Sequence, residues 1–270
     1  MVRLSLMFTR PDSTYDADSG LIELILREQG TPLNRICALV PAGATVLDIG
    51  AGNGLLARVF RASGKEVAID GIEPSAYAAG LARPHYRRFY QGYAQDFPRE
   101  ISEAGYDYVV LADVIEHLPD PLGFLRDLGA MTGARTRLVL SVPNVAFGAV
   151  RLALMAGRFS YVDQGLLERT HLRFFTLATL REMTGRLGLS CEKLYLFQKN
   201  ILSSEVDLAR VRINPLCLAR MVRDELAWTY QFVLVLTKER VPTEQRTFGT
   251  RDYARFLRQL LRRPFKRQHA

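Results

Sequence analysis

The chain has 270 residues, 48% hydrophobic and 24% charged, enough for one large domain or a domain with a small accessory part and unlike a disordered polypeptide. Lys and Arg outnumber Asp and Glu, 36 against 28, and six of the basic residues fall between Arg255 and Arg267 with no acid among them. Cys37, Cys191 and Cys217 form neither a disulfide framework nor a CxxC pair, and there is no cleavable signal pattern or apolar run of 18 residues, so a reducing, cytoplasmic compartment is expected.

Pro11-Asp12-Ser13 reads as a turn, residues 21–29 as a helix, and Gly30-Thr31-Pro32 as punctuation before a second helix that runs to Val40. Thr45–Ile49 is a short buried strand. Gly50, Gly52 and Gly54 follow at alternate positions, and Leu55–Phe60 has helical spacing. Strand, glycine-rich turn and helix bring backbone close to a nucleotide-like ligand. The spelling is GxGxG rather than GxGxxG, and no GxxxxGK[ST] occurs, so triphosphate chemistry has no support.

Glu66–Asp70 reads as the second strand, leading into Gly71-Ile72-Glu73-Pro74, and Pro74–His85 as a helix. Tyr106–Ala112 is a buried strand that continues as Asp113-Val-Ile-Glu116-His117. A helix over 122–131 and a strand over Arg137–Pro143 follow. Residues 144–159 are apolar with Arg151 and Arg158 inserted, and 159–172 are densely polar. Thr176 or Thr179 caps a helix that packs Leu180, Met183 and Leu187. Strands are expected over 190–197 and 228–237, with an insertion or helical hairpin over 201–225 between them and an extension over 239–270.

Asp48 with Gly50, Gly52 and Gly54 resembles motif I of the class I S-adenosylmethionine-dependent methyltransferases. Asp113-x-x-Glu116-His117 resembles the strand-end segment of the ubiquinone-biosynthesis and related small-molecule O-methyltransferases, and His171-Leu-Arg-Phe-Phe-Thr176 a segment of methyltransferases from glycan and natural-product gene neighbourhoods. The resemblance covers roughly 44–237. It implies an α/β, Rossmann-like, seven-stranded, mostly parallel sheet with an antiparallel last strand and helices on both faces. It also implies lid helices over 1–43, a methyltransferase domain over 44–238 with substrate-side insertions near 144–175 and 201–225, and a basic extension over 239–270.

The same resemblance places S-adenosylmethionine on Asp48, Gly50, Ala51, Gly52, Gly54, Glu73, Pro74 and Asp113, with an aromatic, Tyr15, over it. Glu73, 19 residues beyond Gly54, matches the acid that accepts from both ribose hydroxyls; Asp70 is its rival. Around the adenine, Gly92 is followed by Tyr93 where relatives have an acid, so Tyr93, Gln95 or Asp96 and the backbone of Ala94 and Gln95 are alternatives. Asp113, Glu116 and His117 match the magnesium ligands of the ubiquinone-type enzymes, with aspartate replacing the first glutamate.

Transfer to a hydroxyl needs alignment, exclusion of water and removal of a proton. A base of near-neutral pKa suits the last task. Of the four histidines, His117 and His171 fall on the carboxyl edge of the expected sheet, whereas His85 and His269 do not. Arg151, Tyr161, Arg169 and Arg173 are candidates for holding the substrate, the arginines against an acidic one.

The expected acceptor is a hydroxyl of a natural product, glycan precursor or quinone-like molecule. Two alternatives stand beside it: a lipid- or carrier-linked glycan met at a membrane surface through the basic tail, and a scaffold that keeps the fold without catalysis. The expected partners are that substrate and a second copy of the chain; nucleic acid is not expected, because no Asn-Pro-Pro-Tyr motif, cysteine pair or RNA-binding signature occurs.

Overall fold

A computed structural model of the chain describes residues 19–28, 30–208, 211 and 215–249. Eight strands form one sheet: β1 Thr45–Ile49, β2 Ala68–Glu73, β3 Arg88–Gln91, β4 Tyr108–Ala112, β5 Arg137–Pro143, β6 Ser190–Gln198, β7 Thr229–Thr237 and β8 Glu244–Phe248. Their order across the sheet is β3-β2-β1-β4-β5-β7-β6-β8. Strand β7 pairs antiparallel with β5 and β6, and the other pairings are parallel. Seven strands were expected; the eighth comes from the segment read as an extension, where Glu244–Phe248 lies alongside Lys193–Phe197.

Helices cover both faces because the strand residues alternate sides. Val46, Val110, Val139, Val233 and Val235 point to one face. They pack under α1 Ser19–Arg27, α2 Pro32–Leu39 and α3 Leu55–Ala62 through Ile25, Ile36, Val59 and Phe60. Leu47, Leu111, Leu138, Leu140 and Leu234 point to the other face, where Ile101, Leu125, Leu128, Leu180 and Met183 meet them. Those side chains come from α5 Pro98–Ala104, α6 Pro121–Met131 and α8 Leu177–Arg186, while α4 Ala76–Ala82 leads from β2 toward β3.

Helix starts follow side-chain chemistry. Thr31 accepts from Asn34 N at the start of α2, Asp120 from Gly123 N at α6, and Thr176 from Thr179 N at α8. The last turn of α2 is closed from outside: Lys65 Nζ donates to Cys37 O and Val40 O, carbonyls with no helical partner of their own.

A third cluster caps the carboxyl end of β5. It joins α7 Gly148–Met155, α9 Pro215–Arg223 and α10 Glu225–Trp228 around the fully buried Trp228 and Phe147. Gly148 lets this cap close, because a Cβ there would sit 2.7 Å from Ile201 Cδ1 and 2.9 Å from the Ala227 carbonyl. Gly148→Ala is expected to lower stability by about 1–3 kcal/mol, measured as a shift of the denaturant midpoint at constant slope.

Candidate active site

The glycine turn leaves β1 at the carboxyl edge of the sheet. Gly50 N and Ala51 N both donate to Ile72 O, at 2.9 and 3.0 Å, so the turn is stitched to β2. Two of its glycines are required by geometry. Gly50 has φ +75° and a Cβ there would lie 2.7 Å from Val114 Cγ2; Gly54, the N-cap of α3, has φ +80° and would meet Ala82 Cα at 3.1 Å. The Gly50 contact joins the turn directly to the segment that follows β4.

Glu73 ends β2 and accepts from Gly52 N through Oε2 and from Ser75 N through Oε1, both at 2.9 Å. It thus sits between the glycine turn and exposed Pro74, at the place the ribose acid is expected. Its rival Asp70 is fully buried and used within the fold: Arg87, Arg88 N and Tyr106 Oη all donate to it.

Asp48 is also buried, and Tyr86 Oη donates to its Oδ2 at 2.6 Å. Burial pushes its pKa up to about 7, opposed by the tyrosine bond and helped by the charge of Glu73. The folded pKa is raised, so the native state holds a proton that the unfolded chain has released. This contribution to stability is complete below the unfolded pKa and is lost as pH rises through about 7. Stability is therefore expected to fall by up to about 1.4 kcal/mol per pH unit across that window from this group alone. Asp48→Asn should flatten the slope in denaturant midpoints measured at intervals between the unfolded value of 3.8 and about 7. Tyr86→Phe should carry the loss to higher pH. Nothing in the sequence singled out Tyr86, which reaches Asp48 from beyond the α4 turn.

The segment expected around the adenine is held by its own backbone. Tyr93 N donates to Asp96 Oδ2 at 2.9 Å, which fixes the turn Ala94–Asp96. Ala94 is buried, whereas Tyr93 and Gln95 are exposed on that turn. Asp96 is accordingly engaged locally, leaving Tyr93, the Ala94 backbone and Gln95 on the rim. Tyr15 lies outside the described residues.

After β4 the chain turns sharply. Asp113 is in the left-handed region with φ +56°, and Gln231 Nε2 donates to its Oδ1 at 2.7 Å. Glu116 and His117 follow in a single 3-10 turn, Ile115–His117. His171 arrives from the loop before α8 because Leu172 N and Arg173 N both donate to Glu116 O, at 2.8 and 2.9 Å. The His117 and His171 rings stand edge to face with centroids 4.8 Å apart. Each is oriented by a backbone carbonyl: His117 Nδ1 donates to Thr170 O at 3.2 Å and His171 Nδ1 to Leu166 O at 3.1 Å. A carbonyl only accepts, so in each neutral ring Nε2 is the basic nitrogen.

Glu116 is 1% exposed, and no hydrogen bond of good geometry reaches either carboxyl oxygen; its own amide N–H and the Asp113 carboxyl are the polar groups beside it. Burial, then the charge of Asp113 and more weakly that of Glu168, holds its pKa well above the carboxylate range. The ligand atoms that the structure brings together are a different set from the Asp113, Glu116 and His117 expected from sequence. Glu116, His117 and His171 bring ligand atoms within 4.8 Å of one another, and Asp113 is outside that triad, bound to Gln231. Two imidazoles and one buried carboxyl do not suit magnesium, which takes oxygen ligands and keeps several waters.

The expected substrate residues divide. Arg151 is drawn into the cap, donating to Ala146 O and pairing with Asp224 at the N-cap of α10, both at 2.5 Å. Arg173 donates to Pro119 O, and exposed Arg169 pairs with Asp163. Tyr161 is exposed and packs on Phe159, which packs on Phe174, which packs on His171. A continuous row of rings therefore runs from the imidazole pair to the surface.

The methyltransferase domain family matches residues 23–194. The chain belongs to this family. The methyltransferase is 29% identical over 158 residues to a ubiquinone biosynthesis O-methyltransferase of Azorhizobium caulinodans, a match covering 56% of this chain and 61% of that protein. To the protein of the same name from Aromatoleum aromaticum it is 30% identical over 162 residues, covering 57% and 67%. The first match thus spans about three-fifths of the relative's length.

Among solved structures, a SAM-dependent methyltransferase of Archaeoglobus fulgidus aligns with a TM-score of 0.55 at 16% identity, over 83% of this chain and 96% of that one. Magnesium protoporphyrin IX methyltransferase of Synechocystis with bound SAH aligns with a TM-score of 0.51 at 16% identity, over 83% and 90%. These likenesses show the fold, which is that of the class I S-adenosylmethionine-dependent enzymes. None of the described helices is long and apolar enough to cross a membrane.

Proposed function

We propose that this methyltransferase moves the methyl group of S-adenosylmethionine to a hydroxyl of a small molecule, with a natural product, glycan precursor or quinone-like compound as the acceptor class. The observation that carries the reading is the pair of carbonyl-oriented imidazoles at the carboxyl edge, beside the glycine turn and at the inner end of an aromatic row. The likeness to O-methyltransferases of ubiquinone biosynthesis supports it.

The sulfonium already activates the methyl group, so the chain's own work is alignment and proton removal. The acceptor oxygen attacks the methyl carbon, the carbon–sulfur bond breaks, and S-adenosylhomocysteine leaves. Gly52 and Glu73 hold the nucleoside, and the rings of Phe159, Tyr161 and Phe174 receive an aromatic or apolar acceptor. Nε2 of His117, the more exposed imidazole, takes the hydroxyl proton, and His171 behind it fixes its approach.

A second reading, an acceptor carried on a lipid, is favoured by the exposed apolar side chains Leu154, Met155, Phe159 and Tyr161 on the cap.

Both are tested by incubating the full chain with S-adenosylmethionine and panels of phenols, nucleotide sugars, amines and lipid-linked glycans. Mass spectrometry then reads the gain of one methyl group and its site. Methylation on oxygen supports the reading, and confinement to the lipid-linked panel supports the second form. Transfer only to amines, or no saturable cofactor binding by calorimetry, overturns it; the latter would point to a scaffold.

A further inference from the structure

The triad at the carboxyl edge has the construction of a cation site. Its parts come from two segments pinned together by backbone bonds, Leu172 N and Arg173 N to Glu116 O. Both imidazoles are held through Nδ1 by carbonyl oxygens, Thr170 O and Leu166 O. This outer bond is the one that metal-binding histidines use to fix ring direction. Glu116 is 1% exposed and neither oxygen makes a hydrogen bond of good geometry, its polar neighbours being its own amide and the Asp113 carboxyl, an arrangement a buried carboxyl does not tolerate cheaply without some other partner. The carboxyl groups of Asp113 and Glu168 add negative charge around it.

We propose that Glu116, His117 and His171 form a binding site for one borderline divalent transition ion of the zinc type, and that magnesium is not its occupant. Two imidazoles with one carboxylate are the donors such ions prefer, and the set lacks the ring of oxygens and waters that magnesium demands. The ligand atoms lie within 4.8 Å of one another. Bonds of about 2.0–2.1 Å would draw them to roughly 3.4 Å, a contraction that half-buried His117 can make by side-chain rotation. Three protein ligands leave a coordination position for water or an oxygen ligand. A hydroxyl bound there has a lowered pKa. The binding stands on the geometry alone, whereas its value to catalysis rests on the O-methyltransferase reading. In that case His117 acts as a ligand and not as the base.

The test uses the full chain, free of any affinity tag and dialysed against a chelator. Zinc and cobalt are titrated by calorimetry, elemental analysis gives stoichiometry, and cobalt absorption reports the ligands. The expected result is one ion per chain, cobalt bands without sulfur-to-metal charge transfer, and no displacement by excess magnesium. His117→Ala and Glu116→Gln should each weaken zinc binding by about 100-fold or more with circular dichroism unchanged, and Asp113→Asn by less than about tenfold. His171→Gln is the second imidazole variant should His171→Ala fail to fold.

Absence of stoichiometric binding, a thiolate charge-transfer band, magnesium competition, or greater dependence on Asp113 than on His171 overturns the proposal. Ion-free protein that still methylates hydroxyls would overturn the ion's part in catalysis and leave the function. A bound ion in a protein that methylates no hydroxyl would do the reverse.

Discussion

Glu73→Ala is expected to weaken S-adenosylmethionine binding by about 100-fold or more while the chain stays folded. The carboxylate closes β2 and is already the acceptor for Gly52 N and Ser75 N. A carboxylate offers about four acceptor positions, so two amides do not exhaust it. A ribose presents two adjacent hydroxyls, and charge-assisted hydrogen bonds contribute about 1.5–3 kcal/mol each. Losing two, with part of the loss offset by water, gives roughly 3 kcal/mol, or about two decades of affinity. Truncation also releases Gly52 N from its holder, so the turn loses order in the same step. Glu73→Gln should be nearly as damaging, because an amide group would face a backbone N–H. Calorimetry reads the affinity and a thermal melt confirms folding; unchanged affinity in both variants would mean the sugar is fastened elsewhere.

The other acid of β2 should behave oppositely. Asp70→Ala is expected to cost about 2–4 kcal/mol of stability and to leave cofactor affinity near the wild-type value in protein that remains folded. Asp70 is fully buried and accepts from Arg87 Nε and Nη2, Arg88 N and Tyr106 Oη at 2.8–3.1 Å. The Arg87 side chain is 45% exposed, so it can return to water and the ion pair itself contributes little. The cost falls on the Tyr106 hydroxyl and the Arg88 amide, which lose their acceptor. Denaturant unfolding measures it. A variant that keeps its stability but loses the cofactor would exchange the roles assigned to Asp70 and Glu73.

The sequence made the central strands legible because β1, β4 and β5 are buried on both faces and read as apolar runs. The two edge strands were not visible for the same reason reversed. Strand β3 is half exposed and β8 is exposed along most of its length, so neither carries a hydrophobic pattern. The glycine turn was legible because its backbone geometry dictates residue type, and Glu73 was singled out by its match to the family pattern rather than by any backbone constraint. The partnership of His117 with His171 was not: it is created by amides of Leu172 and Arg173 on a carbonyl, and backbone bonds leave no mark on side-chain identity. Arg151 misled for a related cause. A lone charge on an apolar helix looks like a ligand contact, yet here it answers Asp224 across the cap.

The parallel pairing of β8 with β6 decides the direction in which the polypeptide departs. Because β6 runs the same way as β1, Phe248 and Gly249 emerge on the rim that bears the glycine turn and the imidazoles. Four strand spacings separate β4 from β8, roughly 19 Å at about 4.8 Å each. A fusion partner or immobilisation handle joined directly at Gly249 would thus set out from the side that bears the glycine turn. Had the eighth strand run the other way, such an attachment would have started from the opposite pole.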